Sequence, residues 1–327
     1  MTKPAEHSDK PMVTPPLRFL IGEFALWVWR PRLVLVDFTS GQSFPWLQVS
    51  PAQIDSPADG MLCRSLPPDA LPPGISRLNG WVAYVQRLQR CYHVQIAGSF
   101  EDYLSKFSAK RRHNLKRSAR WFADRSEGCP LSVAKSPEEM MEFHRQAIEI
   151  SRQTYQERLL KAGMPAGKDY LSHMQQLAAS GMARGYLLRD GAKSVAFAWC
   201  EGKGQRLNYS IIGYLPDYAP KSPGTALLYL ILEDLFREKT FSLLSFGVGE
   251  GWYKESFSTG FEEFIDAVLL RPSWRLRGLV WLHALCEKAN QEAGRLLEKA
   301  GIKRTIKQWM RRFASSASQP SGPEPGG

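Results

Sequence analysis

The order in which hydrophobic periodicity changes along residues 136–271 limits the folds open to this chain more than any other feature. The segment SPEEMMEFHRQAIEISRQTY begins with Ser136, Pro137 and, three residues after the serine, Glu139. That is the pattern of a capping box at the start of an amphipathic helix. A second helical segment, KDYLSHMQQLAAS, follows, and then three strand-like runs, ARGYLLRD, KSVAFAWCEG and QRLNYSIIGYL. Asp190-Gly191 is a hairpin signal between the first two runs, and Gly202-Lys203-Gly204 separates the second from the third. A long apolar helix (PGTALLYLILEDLF), a buried-type strand (FSLLSFGVG), the short segment WYKESF and the strand EFIDAVLLRP complete the series. The expected order is α, α, β, β, β, α, β, short α, β, an α/β (α+β) arrangement.

The rest of the chain is read around this unit. Its 327 residues suit two domains of about 150 residues each. At 43% hydrophobic and 11% aromatic it has ample material for packed cores. Residues 1–16 are polar and proline-rich and 314–327 are of low complexity, so both ends are expected to be disordered. The runs RFLIGEFALWVW and RLVLVDF read as strands separated by Arg30-Pro31, and 40–79, rich in Pro, Gly and Ser, as long connections. An extended run, YHVQIAG, leads into SFEDYLSKFSAKRRHNLKRSARWF, where Leu104, Phe107, Leu115, Ala119 and Phe122 recur at helical spacing. Arg111 falls on that apolar stripe, where a solvated charge is out of place. The expected organisation is a first half over 17–125 that includes this basic helix, a second domain over 130–272, and a helical extension over 273–313.

The formal net charge of +11 is a local property. Lys110, Arg111, Arg112, Lys116, Arg117 and Arg120 form one cluster without an acid, and Lys299, Lys303, Arg304, Lys307, Arg311 and Arg312 form another. Setting these twelve aside leaves 31 basic against 32 acidic residues. Each cluster is either a solvated helix face or a contact for phosphate or an anionic membrane surface. In the second cluster Ile302, Ile306, Trp309 and Phe313 make an apolar stripe, which suits docking on the protein or lying on a membrane. Five dispersed cysteines with no CxxC pair argue against a disulfide framework or a zinc site. No apolar stretch near the start reaches the length of a bilayer span, and none has the form of a signal peptide. The expectation is a soluble cytoplasmic protein, peripheral to a membrane if the second cluster meets one. The six histidines show no metal-ligand spacing, and no metal is expected.

Chemistry concentrates in APKSPGTALLYLILEDLF. Ser222 can cap the helix and Pro223 suits its first position. Gly224 then leaves the first N–H groups open to an anion, with small Thr225 and Ala226 behind it and Lys221 beside it. Two readings fit the local sequence: an ordinary helix start, and a backbone cradle for pyrophosphate.

Lys221-Ser222-Pro223-Gly224-Thr225-Ala226 after a strand meander resembles the acyl-CoA-binding motif of the GNAT acetyltransferases, Arg/Gln-x-x-Gly-x-Gly/Ala. More narrowly, YLSKFSAKRRHNLKRSARWF, YSIIGYLPDYAPKSPGTALL and SFGVGEGWYKESF together resemble the CelD/BcsL-type GNAT family, associated with cellulose and exopolysaccharide biosynthesis and distantly related to the Fem peptidyltransferases. The resemblance spans residues 80–271. It implies a GNAT fold of two GNAT-like halves with a mixed central sheet, the second half holding the complete donor site. Acyl-CoA would bind with its pyrophosphate at Gly224, Thr225 and Ala226, helped by Lys221 and Ser222, and its pantetheine arm along the strand ending near Tyr214.

Transfer from a thioester needs a base, an N–H donor for the oxyanion and an acid for the leaving thiolate. The resemblance puts Tyr253 in the place of the acid, with Lys254 next to it; a packing aromatic is the other reading. Glu250, between Gly249 and Gly251, is the candidate base or else a solvated loop carboxylate, and Asp217 and Glu201 are weaker candidates. Arg111, Tyr209 and Asp217 are candidate acceptor contacts. Related sequences read Asp-Phe-Gly-x-Gly where this chain has Ser245-Phe246-Gly247-Val248-Gly249. The expected function is acyl transfer, acetyl from acetyl-CoA foremost, to a sugar, amino-sugar or envelope precursor. The competing readings are a Fem-like transferase using aminoacyl-tRNA, in which the basic helix meets RNA, and a non-catalytic binding protein of the same fold; otherwise no nucleic-acid partner is expected.

Overall fold

The computed structural model describes residues 12–21, 24–37, 51, 57–154, 163–249 and 251–299. Residues 1–11 and 300–327, and with them most of the expected disordered ends, the apolar stripe from Ile302 to Phe313 and most of the second basic cluster, lie outside these residues, as does Glu250. Residues 12–16, expected to be disordered, are ordered, and Met12–Val13 form a strand. The chain divides into two compact units, one formed by residues 1–89 and 263–327, the other by residues 90–262. The expected boundary near residue 125 does not coincide with this division. The basic helix shares its core with the second unit, because Leu115, Ala119 and Phe122 are buried with residues of that unit.

In the first unit, strands β1 (Met12–Val13), β4 (Leu33–Asp37) and β5 (Gly60–Leu66) adjoin β13 (Gly260–Leu270) and β7 (Trp81–Gln95), with β6 (Gly74–Leu78) beside β7. Segment 40–79, expected to be a long connection, therefore contains two strands. Gly60 is packed so closely that a Cβ there would lie 1.9 Å from the Leu269 carbonyl oxygen. β6 and β7 are joined by Asn79-Gly80, both at positive φ, the geometry of a type I′ hairpin turn. The run RFLIGEFALWVW is an antiparallel pair, β2 (Leu17–Ile21) with β3 (Phe24–Trp29). A long helix, Trp274–Lys299, packs on β2; its buried His283 Nδ1 lies 2.8 Å from the Tyr84 hydroxyl. No helix among the described residues is long and apolar enough to cross a membrane.

The second unit contains the expected alternation. The segment from Ser99 to Phe122, whose apolar residues keep helical spacing throughout, forms two helices, α1 (Phe100–Ser105) and α2 (Ala109–Ala123), the second being the basic helix. Ser108 ends the continuity by accepting the Arg111 N–H as the cap of α2. After β8 (Leu131–Ala134) come α3 (Pro137–Gln153), which carries the expected capping box, and α4 (Lys168–Ala179). The meander β9 (Ala183–Asp190), β10 (Lys193–Lys203) and β11 (Arg206–Tyr214) follows, then α5 (Pro223–Glu238), β12 (Leu243–Val248) and α6 (Trp252–Phe257). The sheet order is β8-β9-β10-β11-β12, with the end of β7 against β12. Six consecutive buried residues in β10, Val195–Cys200, show that both faces of the strand are covered, and both α3 and α5 pack on β9, β10 and β11.

Candidate functional site

Two neighbouring strands of the second unit part company. β11 is antiparallel to β10 along most of its length, but it pairs in parallel with β12 only at Arg206–Leu243, Leu207–Leu244 and Asn208–Ser245. From Tyr209 and Phe246 onward the two strands exchange no ladder bonds, and main-chain groups of β11 on that side face a gap. The chain leaves β11 through a 3₁₀ turn, Pro216–Lys221, and enters α5.

The start of α5 differs from the expected cap. Ser222 adopts a left-handed conformation (φ 54°, ψ 52°), and its side chain caps nothing. A capping serine needs extended backbone. Here Ser222 instead closes the 3₁₀ turn, its N–H donating to the Ala219 carbonyl at 3.0 Å, while the following Pro223 disfavours the right-handed helical region. The Ser222 carbonyl accepts the N–H of Thr225 (3.0 Å) and of Ala226 (3.1 Å). Gly224 thus carries the one amide of residues 224–226 with no protein partner among the described residues. A Cβ at Gly224 would find only Tyr214 Cδ1, at 4.0 Å, so the space over this helix end is open. Ala226 is fully buried and lines no cavity.

Two cavities meet at this helix end. The smaller, about 400 Å³, runs from the parted strands to α5 and is lined by Tyr209, Gly213, Tyr214, Gly224 and Tyr253 among others. The larger, about 850 Å³, lies between α2 and the start of α5, with Lys110, Arg111, Arg117, Trp121 and Lys221 in its walls. Ser222, Thr225 and Trp252 line both. Ser118 Oγ donates to the Lys221 carbonyl at 3.2 Å, and the Lys221 ammonium lies 5.0 Å from the Trp121 ring centre.

The sequence candidates separate on this geometry. Tyr253, on α6, is half-buried in the smaller cavity, with its ring edge-on to Phe246 at 5.9 Å. Its hydroxyl has no hydrogen-bond partner among the described residues, and burial raises its pKa, so the proton is kept at neutral pH. Tyr209 shares that cavity, its hydroxyl held well above the ordinary tyrosine range by burial. Lys254 turns away: its ammonium donates to the Val248 carbonyl at 2.8 Å, and burial lowers its pKa. Asp217 is exposed on the 3₁₀ turn and lines neither cavity. Glu201 accepts from Trp199 Nε1 (2.7 Å) and the Tyr170 hydroxyl (3.3 Å), also outside both. Among the described residues no carboxylate or imidazole lines either cavity, and no cluster suited to a metal ion occurs. Trp121 and Ser118 on α2, not singled out by sequence reasoning, owe their places to the packing of α2 against α5, which leaves no local signature, and Trp252 stands on α6.

Residues 109–255 match the model of the acetyltransferase (GNAT) domain family. That stretch is a GNAT acetyltransferase domain, and the protein is an acyltransferase. No curated protein matches the chain. Among solved structures it is similar to the C-terminal domain of a lysylphosphatidylglycerol synthetase from Agrobacterium fabrum, with 15% identity over 64% of this chain and 68% of that one, at a TM-score of 0.44. L-PGS from Bacillus licheniformis gives 15%, 63%, 67% and 0.41, and FemX 13%, 58%, 63% and 0.42. The chain thus spans about two thirds of these structures, and the domain assignment rests on the family match.

Proposed function

We propose that the protein transfers an acyl group, acetyl in the first instance, from acyl-CoA to an amine or hydroxyl of a sugar, amino-sugar or related exopolysaccharide precursor, in the manner of the CelD/BcsL-type family. The observation that carries this reading is the smaller cavity, which joins the strand gap, the open amide of Gly224 and the hydroxyl of Tyr253 in one space. The residues fit the donor. Gly224 N–H, the Ser222 and Thr225 hydroxyls and Lys221 would hold its pyrophosphate at the positive end of α5. Unpaired main-chain groups of β11 up to Tyr214 would hold the pantetheine arm. When bound, acyl-CoA supplies an activated thioester carbonyl. Tyr253 keeps a proton at its hydroxyl for the departing sulfur, because burial disfavours the phenolate.

Titration calorimetry with acetyl-CoA tests the donor site. Gly224→Glu puts bulk and a negative charge where the pyrophosphate would sit and should abolish measurable binding; an affinity equal to wild type overturns the reading. Tyr253→Phe should bind acetyl-CoA as wild type does while kcat falls by roughly 10²-fold or more. Binding of tRNA that weakens steeply with salt, without any CoA binding, would replace this donor with an aminoacyl-tRNA.

A further inference from the structure

Arg111 is a cation that the described residues do not satisfy. It lies on the inward side of α2, its guanidinium carbon 5.0 Å from the Phe107 ring centre, 4.8 Å from that of Trp252 and 5.6 Å from that of Phe257. Nε is buried with no hydrogen-bond partner, and no carboxylate pairs with Arg111 among the described residues. Cation–π contacts offset only part of the cost of taking a guanidinium nitrogen out of water. A titrating neighbour is also basic. Lys106 is pushed down to about 8, chiefly by loss of water around its ammonium and then by the charge of Arg111. Buried donors are nearly always paired, so one left open among the described residues beside a cavity points to a ligand as its partner.

The larger cavity is where that partner would sit. Lys110 and Arg117 on α2 and Lys221 before α5 stand with Arg111 around one space of about 850 Å³ that no acid among the described residues lines, and Ser108 and Asn114 add uncharged polar groups. We propose that this cavity is a second phosphate site, anchored by Arg111 and occupied by a phosphate or diphosphate group of the acceptor. The inference rests on the acyl-CoA reading in one respect: the donor's pyrophosphate is already assigned to Gly224, so this anion is a separate one. Trp252 and Phe257, which hold Arg111, lie on the same short helix as Tyr253. An anion on Arg111 therefore lies beside the reacting end of the donor, as an acceptor must. The 3′-phosphate of CoA has the same chemistry and is the other source.

Calorimetry on the full chain separates the two. Protein saturated with CoA is titrated with inorganic pyrophosphate, and in parallel the affinities for CoA and 3′-dephospho-CoA are compared. Wild type, Arg111→Gln, Arg117→Gln and Arg111→Lys are used, with thermal unfolding to verify folding. If the acceptor's phosphate binds here, the CoA complex takes up pyrophosphate. Arg111→Gln should then weaken that binding by roughly 10–100-fold while leaving CoA affinity unchanged, as expected for loss of charge-assisted hydrogen bonds. Arg111→Lys, which keeps the charge but not the planar fork, should recover only part of it. Failure of the CoA complex to bind pyrophosphate, with dephospho-CoA bound more weakly than CoA in an Arg111-dependent way, overturns the acceptor assignment and gives the site to the donor. Pyrophosphate binding that ignores both arginines, or no response to either phosphate, overturns the site itself. Should Arg111→Gln not fold, Arg117→Gln carries the test. Arg111-dependent pyrophosphate uptake by a protein that never binds CoA would sustain this site and refute the donor reading.

Discussion

Ser245 stands where the family resemblance implies an aspartate, and its surroundings say what the position does in this chain. The side chain is buried, 3.3 Å from Cys91 Sγ, and its hydroxyl accepts the Gly247 N–H at 3.3 Å. Gly247 has a φ of +68°, and the β12–β7 register shifts between Ser245 and Val248, so the hydroxyl supports a bend in the strand. It lines neither cavity. Ser245→Ala should therefore lower stability by about 1 kcal/mol, the worth of a part-buried hydrogen bond, and leave turnover unchanged. Denaturant unfolding and a steady-state assay check both, and a collapse of kcat would place the hydroxyl in the chemistry. At this scale the sequence was readable where burial alone decided. Arg111 stood out because a charge occupied an apolar stripe. Ser222 was misread as a cap because its left-handed backbone is imposed by the 3₁₀ turn before it and the proline after it, not by its own preference.

Among the elements, α6 depends on α1. The Tyr103 hydroxyl donates to the Phe257 carbonyl at 2.7 Å, and Lys106 donates to the same carbonyl at 2.6 Å and to that of Ser258. These are carbonyls at the end of the helix that carries Tyr253, left without partners by the helix itself. Lys106 has a folded pKa of about 8 against an ordinary value of 10.5, so between those values the unfolded chain binds more protons than the native one. Stability should then rise with pH across that window. Lys106→Met should flatten that rise, read as the denaturant midpoint at a series of pH values; an unchanged slope assigns the effect to another group. The order of elements from Ser136 to Leu270 was legible because each change of hydrophobic period is local. The break at Ser108 was not, since Leu104, Phe107 and Leu115 are buried on both sides of it. β5 was hidden by flanking prolines and its own Arg64. β6 could have been found from Asn79-Gly80, a strong two-residue hairpin signal.

For the molecule as a whole, the division into units follows packing rather than composition, which is why a boundary placed after the basic helix missed it. The cysteines give a simple measure of that packing. Cys63, Cys91 and Cys200 are buried, Cys286 is half-buried and Cys129 is exposed. Burial also raises the Cys200 thiol pKa strongly, so little thiolate forms there. A colorimetric thiol reagent should titrate Cys129 at once, Cys286 more slowly, and all five only after denaturation. Rapid reaction of more than two thiols in the native protein would contradict the two cores. The charge clusters were legible as sequence, but the convergence of Lys110, Arg117 and Lys221 on one space depends on two helices more than 100 residues apart in number, and no pattern along the chain encodes it.

The gap between β11 and β12 has a further consequence for life in a crowded solution. Unpaired strand groups usually invite another polypeptide to add itself, the route to edge-to-edge aggregation. Here the open groups lie inside a sheet, and three ladder pairs at Leu207 and its neighbours close one end. A guest strand needs about 4.8 Å of clearance on each side along its whole length. A wedge that narrows to a single strand spacing denies that clearance, yet leaves room for a slender chain entering from the wide end. The same taper that would admit the donor denies a second polypeptide the room to pair inside this gap.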